Sequence, residues 1–213
     1  MAGDLINLLA DLMEEEVLQV VGERLDAGEN PVQILDDARS GMEIVGRRFA
    51  DGDYFIPDLV YSGEILKEVT DLVKPRMKGA SEAKRIGKVI VGTVAGDIHD
   101  IGKDIVVFML DVNGFDVLDL GVDVPAERFV EQIRESGATV VALSGFLTLS
   151  YDSMKSIIET IAGAGLRDGV KIMIGGGQIN EDIRKYTLAD GYGKDAMAAV
   201  RFAKEWLSAA HAA

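Results

Sequence analysis

From Leu5 to about Lys78, hydrophobic residues recur three and four positions apart, which places them on one face of a helix. Asn30 and Pro31 favour the start of a helix, since asparagine caps helices and proline suits their first turn. Asp51-Gly52-Asp53 favours a break between two helices. We therefore predict about four helices, packed as a small bundle, over residues 1–84.

The pattern changes at about Ile86, where short runs rich in β-branched residues begin to alternate with amphipathic stretches. This alternation predicts an α/β domain over residues 85–213, a doubly wound, Rossmann-like parallel sheet with helices on both faces. We expect the linker at residues 79–83. The predicted strands are residues 89–94, 116–119, 139–143, 171–174 and a weak one near 189–192, and the predicted helices are residues 103–113, 125–136, 150–164 and 194–209.

Composition narrows the class of protein. Hydrophobic residues make up 48% of the chain, enough for a buried core. The formal net charge of −14 disfavours binding to nucleic acid or to an anionic membrane. Without cysteine the chain has no disulfide, thiolate metal site or nucleophilic thiol. No apolar run reaches the roughly 18 residues of a membrane span and no basic leader is visible, so we expect a cytoplasmic protein.

The segment that follows the first predicted strand carries the candidate chemistry. Parallel sheets bind ligands at the carboxyl ends of their strands, and here lies His99, one of two histidines in the chain. Asp97 stands two residues earlier, where its carboxylate can accept the second ring N–H of a metal-bound imidazole. Gly102 favours a tight turn before the next helix.

The residues alone leave several interpretations of His99 open. A histidine in a loop often only satisfies the backbone, and Asp97 suits a helix cap. A hydrolytic zinc site needs about three protein ligands, and no others are spaced to join His99. Gly92, Gly96 and Gly102 do not form the dinucleotide motif G-x-G-x-x-G. A cofactor that brings its own equatorial ligands, however, needs only one axial histidine.

The run Asp97-Ile98-His99-Asp100-Ile101-Gly102 matches the D-x-H-x-x-G signature of domains that bind cobalamin (vitamin B12) with its own base displaced. The chain is similar to the cobalamin-binding module of methionine synthase, and more closely resembles the stand-alone corrinoid proteins of anaerobic methyltransferase systems. This resemblance implies a corrinoid cofactor with His99 as the lower ligand of cobalt. It assigns corrinoid contacts to Gly96, Asp97, Ile98, His99, Asp100, Ile101 and Gly102.

A second motif of the resembled family matches Ser144 to Ser150. The resemblance implies that Ser144 and Thr148 contact the corrin and its nucleotide tail, and that Asp97, His99 and Ser150 form a relay behind the cobalt. The resemblance also places Phe146 among the cofactor-binding residues, at the third place of the family's S-x-L, and this departure from leucine bears on the shape of the tail-binding tunnel. Without the resemblance, Ser144 would simply end a strand and Ser150 would cap a helix.

Glycines form the remaining part of the match. Gly175, Gly176 and Gly177 follow the fourth strand and allow a backbone or a ligand to approach closely. The resemblance assigns them to the wall of the nucleotide tunnel, and it assigns Gly191 and Tyr192 to a segment that closes over the same tail. We interpret residues 121–125 as structural.

Residues 46–59 resemble the helical cap that covers the upper face of the corrin in this family. Within that stretch we expect Tyr54 and Phe55 to lie in the core of the bundle rather than against the cofactor.

The resemblance implies a methyl carrier that does not catalyse alone. A methyl group would pass from a donor to a tetrahydrofolate-type or thiol acceptor. Because eight strand-helix repeats need about 250 residues, the chain cannot include a substrate-activating barrel. We therefore expect donor-side and acceptor-side methyltransferase partners and a corrinoid-reactivating protein.

The alternatives are a B12-dependent sensor, the small B12-binding subunit of an adenosylcobalamin mutase and, less well matched, a phosphate-receiving domain, which would need an aspartate at Ser144 or Gly145.

Overall fold

The structure, a computed structural model, describes residues 2–76 and 85–210, so the expected linker at 79–83 lies outside the described residues. The chain divides into two compact units. One consists of Met1–Lys84 with Val112–Gly114, and the other of Arg85–Asp111 with Phe115–Ala213. Among the described residues, no helix is both long and apolar enough to cross a membrane.

The amino-terminal unit is helical, as predicted. Asn30 caps the third helix by accepting the N–H of Val32 at 3.0 Å, and Gly52 ends that helix in the left-handed conformation with φ of 84°. Both assignments made from the sequence are therefore confirmed. The helices are α1 (Ala2–Ala10), α2 (Glu14–Asp26), α3 (Pro31–Asp51) and α4 (Ile56–Val73), followed by a single 3₁₀ turn (Lys74–Arg76).

The core of this unit is formed by the apolar stripes of the four helices, because each stripe is removed from water only when it packs against another. A buried ion pair adds to it, with Arg24 of α2 donating to Asp37 of α3 at 2.7 Å. The fully buried side chains include Leu5, Leu9, Val17, Val21, Ile34, Met42, Val45, Ile65 and Val69.

The strands described in the second unit are β1 (Lys88–Thr93), β2 (Asp116–Asp119), β3 (Val140–Ser144), β4 (Lys171–Gly175) and β5 (Gly191–Gly193). They form one wholly parallel sheet in the order β2-β1-β3-β4-β5. Since β1 is flanked by both β2 and β3, the order reverses beside it, as in doubly wound folds. The predicted fold class is confirmed, and each predicted strand lies within two residues of its observed bounds.

The helices of this unit are α5 (Ile101–Val112), α6 (Ala126–Ser136), α7 (Ser150–Gly163), α8 (Glu181–Thr187) and α9 (Ala196–Ala210). Helix α8 was not predicted, because its seven residues are too short to show a helical period. Its cap is clear in the structure, where the side chain of Asn180 accepts the N–H groups of Asp182 and Ile183.

Candidate functional site

The parallel register brings the carboxyl ends of four strands into one row. Thr93 of β1 pairs with Ser144 of β3, Ser144 with Gly175 of β4, and Gly175 with Gly193 of β5. The loops that leave β1, β3 and β4 therefore start side by side at one edge of the sheet. Three segments singled out in the sequence are in this way brought together, although about 80 positions separate the first from the last.

The carboxylate of Asp97 lies at the centre of these loops and is fully buried. Its Oδ1 accepts the backbone N–H of His99 at 3.0 Å and lies 2.6 Å from Nδ1 of the same residue. Its Oδ2 accepts the N–H groups of Phe146 at 2.6 Å and Leu147 at 3.1 Å, and the hydroxyl of Ser150 at 2.6 Å. Asp97 thus ties the loop after β1 to the loop after β3.

These contacts decide the charge of the carboxylate. Burial by itself would raise the pKa of Asp97, but the hydrogen bonds from Ser150 and from the N–H groups of His99 and Leu147 outweigh it and hold the pKa far below its ordinary value. An anionic carboxylate only accepts hydrogen bonds, so Nδ1 of His99 carries the proton. In the neutral ring, Nε2 then has a free lone pair.

The imidazole of His99 is open to a ligand. Its side chain is 50% exposed, and no described residue hydrogen-bonds to its Nε2. The carbonyl of His99 accepts the hydroxyl of the buried Thr93 at 3.0 Å. The ring lies 4.7 Å from that of Phe146, centroid to centroid, at an angle of 37°. One ring nitrogen is therefore fixed in the protein and the other is available for coordination.

Three further residues support the loop after β1. Asp123, with φ of 53°, accepts the N–H of Gly96 at 2.7 Å and donates its own N–H to the carbonyl of Asp97 at 3.0 Å. Ser153 donates its hydroxyl to the carbonyl of Ala95 at 2.8 Å. Thr93, Asp123 and Ser153 were not singled out from the sequence as site residues. The sequence feature that could have indicated Asp123 is its position two residues after Gly121, in a loop that we expected to be structural.

Glycines allow the loops after β3 and β4 to touch. A Cβ atom at Gly176 would lie 2.5 Å from the carbonyl oxygen of Gly145, and one at Gly177 would lie 2.7 Å from that of Phe146. Both have positive φ, 105° and 41°. The prediction that glycines here admit a neighbouring backbone is confirmed. A role for Gly175, Gly176 and Gly177 in a nucleotide tunnel stays a prediction.

Two local interpretations of the motif were wrong. Gly102 lies in the first turn of α5, not in a tight turn, and the positive φ of this segment, 82°, belongs to Gly96. Ser150 does not cap α7, because the capping position is Leu149 and the hydroxyl of Ser150 is directed to Asp97. Two large apolar side chains of this segment are exposed: Ile98 by 73% and Ile101 by 67%.

Most of the remaining candidates lie near the carboxyl ends of the strands, whereas Gly191 pairs with Met173 within the sheet. Ser144 is half-buried at the end of β3, whereas Asp100 and Thr148 are exposed. Gly191 is buried, and a Cβ atom there would lie 3.0 Å from the ring of Phe202. Tyr192 is half-buried and packs against the core of the sheet.

The expectation for the helical unit was partly wrong. Phe55 is 67% exposed and does not lie in the core, because it stands just before the first turn of α4. Tyr54 is half-buried, and its hydroxyl donates to the carbonyl of Ala10 at 2.7 Å. The side chain of Arg48 donates to the same hydroxyl at 2.8 Å.

The geometry fits an axially ligated metal cofactor. Among the described residues, no three His, Cys, Asp or Glu side chains are grouped so as to hold a metal ion. A metal bound at His99 would therefore need to bring most of its own ligands, as it does in a macrocycle. The anchored imidazole, the exposed Ile98 and Ile101 beside it and the glycine-lined loops suit a large flat ligand.

Comparison with known proteins gives the family. A family model described as a B12 binding domain matches residues 87–201, and a second model of the same description matches residues 1–74. Trimethylamine corrinoid protein 2 of Methanosarcina mazei is 40% identical over 196 residues, which cover 91% of this chain and 90% of that protein.

Solved structures agree with this result. A cobalamin-binding protein from Desulfitobacterium hafniense matches with a TM-score of 0.84 and 35% identity, over 97% of this chain and 98% of that chain. A chain of the methanol:cobalamin methyltransferase complex from Methanosarcina barkeri matches with a TM-score of 0.77 and 27% identity, over 96% of this chain and 78% of that chain. The predicted corrinoid cofactor is thereby confirmed, and the chain belongs to the family of B12-binding corrinoid proteins.

Proposed function

We propose that this protein carries a methyl group between methyltransferase partners on a corrinoid whose lower ligand is His99. The observation that supports the ligand assignment is the half-exposed imidazole, with Nδ1 held by the buried carboxylate of Asp97 at 2.6 Å and Nε2 open. A bound corrinoid supplies a cobalt centre that can take a methyl group from a donor and release it to an acceptor.

The residues of the chain do the positioning. Asp97 keeps the proton on Nδ1, so Nε2 retains its lone pair for cobalt. The hydroxyl of Ser150 and the N–H groups of Phe146 and Leu147 keep Asp97 anionic and fixed. Ile98 and Ile101 offer apolar surface to the macrocycle, and Ser144 and Thr148 offer hydroxyls to its tail.

A methylated amine is the donor that the relatives favour. The matched protein of Methanosarcina mazei, at 40% identity, is named for trimethylamine, and a matched dimethylamine corrinoid protein of Methanosarcina barkeri is 35% identical over 96% of this chain. A tetrahydrofolate-type or thiol compound is our proposed acceptor. Partner proteins in the cytoplasm would catalyse methyl transfer from the donor and to the acceptor, and a further partner would reactivate the cofactor. The carrier itself would consist of two domains, residues 1–84 and 85–213.

The ligand assignment is tested by loading the protein with cobalamin, reducing the cobalt to the paramagnetic cobalt(II) state and recording its electron paramagnetic resonance. Coordinated ¹⁴N splits the cobalt lines into triplets and ¹⁵N splits them into doublets. Protein labelled with ¹⁵N-histidine should give doublets, and His99→Ala should abolish them. His211→Ala, which removes the other histidine, serves as the control. Triplets in the labelled protein would show that the cobalamin's own base is still bound.

The donor assignment is tested separately. The loaded protein is mixed with purified methyltransferases specific for trimethylamine, dimethylamine or methanol, each with its substrate, and the visible spectrum is followed. We expect rapid methylation with an amine-specific partner and slow methylation with the methanol-specific one. The reverse order would overturn the choice of donor and leave the axial ligand unaffected.

A further inference from the structure

The backbone of Phe146 is fixed from two sides. Its N–H donates to Oδ2 of the buried Asp97 at 2.6 Å. On the other side its carbonyl oxygen lies so close to Gly177 that a Cβ atom there would be only 2.7 Å away. The N–H of the preceding residue, Gly145, donates to the carbonyl of Gly175 at 3.1 Å. The Cα–Cβ bond of Phe146 therefore starts from a rigid position between the loops after β1 and β4.

The ring of Phe146 packs on the imidazole rather than in the core. Phe146 is 59% exposed, yet its ring centroid lies 4.7 Å from that of His99 with the planes 37° apart. This distance and tilt are typical of a favourable aromatic pair. An exposed phenylalanine ring loses the hydrophobic free energy that burial would provide. Because this ring is mostly exposed, packing in the core does not explain its position.

One hydrogen bond restrains the plane of a ring only softly, because hydrogen-bond geometry tolerates deviations from the ideal angle. The contact between Nδ1 of His99 and Asp97 limits rotation of the imidazole about its Cβ–Cγ bond but leaves a range of tilt. A second contact on the face of the ring removes that freedom, and Phe146 supplies it. Since aromatic pairs contribute about 0.5–1.5 kcal/mol, the preference is large enough to affect the occupancy of one orientation severalfold.

We infer that Phe146 is a positioning residue that orients the imidazole of His99 for coordination through Nε2. This inference rests on the proposed function, because it assigns Phe146 a role in that same site. Phe146 stands where the S-x-L motif of the resembled family has leucine. Phe146→Leu is therefore the informative variant, since it keeps an apolar side chain and removes the ring.

The first test uses the protein without cofactor. Nuclear magnetic resonance of the His99 ring protons should show a ring-current shift that Phe146→Leu removes and Phe146→Tyr retains. Tyr186→Leu is the control, because it removes another partly exposed ring, 47% exposed, in the same unit. Identical His99 shifts in the wild type and in Phe146→Leu would overturn the inference, whatever the ligand of cobalt.

The second test titrates hydroxocobalamin into the same variants and follows the visible spectrum. We expect Phe146→Leu to weaken binding by about 2- to 12-fold, which is the aromatic contribution expressed as a ratio, with Phe146→Tyr close to the wild type. If Phe146 acts through His99, it should have no further effect in a His99→Ala background. An equal loss in both backgrounds would mean that Phe146 contacts the corrinoid directly, and would overturn the inference.

The two failures are distinguishable. If ¹⁵N-histidine labelling shows no imidazole on cobalt in the wild type, the proposed ligand is wrong. If it shows imidazole coordination in both the wild type and Phe146→Leu with equal affinity, only the role of Phe146 is wrong.

Discussion

Ser150 donates its hydroxyl hydrogen to Oδ2 of Asp97 at 2.6 Å, across 53 positions of the chain. Both side chains are buried. Ser150 begins α7, and Asp97 lies in the loop after β1, so this bond connects a helix terminus to the loop that carries His99. The carboxylate also accepts two backbone N–H groups on the same oxygen, and Ser150 completes that set.

Ser150→Ala should lower the free energy of unfolding by about 1–3 kcal/mol, because a hydrogen bond to a buried charged group is lost. Urea denaturation followed by circular dichroism measures this. Ser156→Ala in the same helix is the control, since Ser156 is exposed and its change should stay within about 0.5 kcal/mol. Equal effects of the two substitutions would mean that the bond to Asp97 contributes nothing to stability.

The sequence predicted contacts that are local and missed those that depend on tertiary structure. The pairing of Asp97 with His99 followed from a spacing of two residues, whereas the partnership with Ser150 came only from a family resemblance. Asp123 was missed because its partner is a backbone N–H in another loop. Phe55 was wrongly assigned to the core, since hydrophobic residues are also common on surfaces.

Gly102→Ala should separate folding from binding. Gly102 lies in helix α5 without a positive φ, and a Cβ atom there would meet nothing within 4 Å. Alanine is the better helix former, so the unfolding free energy should rise by up to about 1 kcal/mol. Affinity for hydroxocobalamin should fall about tenfold or more, because a methyl group at Gly102 would stand on the proposed binding surface. Unchanged affinity would remove Gly102 from the binding surface.

Gly176→Ala should have the opposite effect on folding. The new Cβ would lie 2.5 Å from the carbonyl oxygen of Gly145, and φ is 105°, so both the contact and the backbone are strained. We expect a loss of at least about 2 kcal/mol in thermal or urea unfolding. Gly163→Ala, in α7 with open space around it, should be neutral or stabilising by up to about 1 kcal/mol. A stable Gly176→Ala variant would contradict the observed approach of the two loops.

In the helical unit, Asp37→Asn should be strongly destabilising. Arg24 and Asp37 are each more than nine-tenths buried and form an ion pair at 2.7 Å. Removing the charge of Asp37 leaves the buried guanidinium of Arg24 with Glu29 as its remaining carboxylate partner, at a cost of up to about 3–5 kcal/mol. Glu29 also pairs with Arg24 but is more exposed, so Glu29→Gln should cost less than about 1 kcal/mol. The urea unfolding midpoints of Asp37→Asn and Glu29→Gln are compared directly. Similar midpoints would mean that burial of the Asp37 carboxylate does not increase its contribution to stability.

Asp123 should support the His99 loop through its side chain and its backbone conformation together. Asparagine keeps an acceptor oxygen for the N–H of Gly96 and tolerates the left-handed conformation, whereas alanine provides neither advantage. We therefore expect Asp123→Ala to lower the unfolding free energy by about 1–2 kcal/mol and Asp123→Asn to lower it less. Hydroxocobalamin affinity should follow the same order, because the carbonyl of Asp97 is held by the N–H of Asp123. If Asp123→Ala binds hydroxocobalamin as well as Asp123→Asn does, the loop keeps its shape without this side chain.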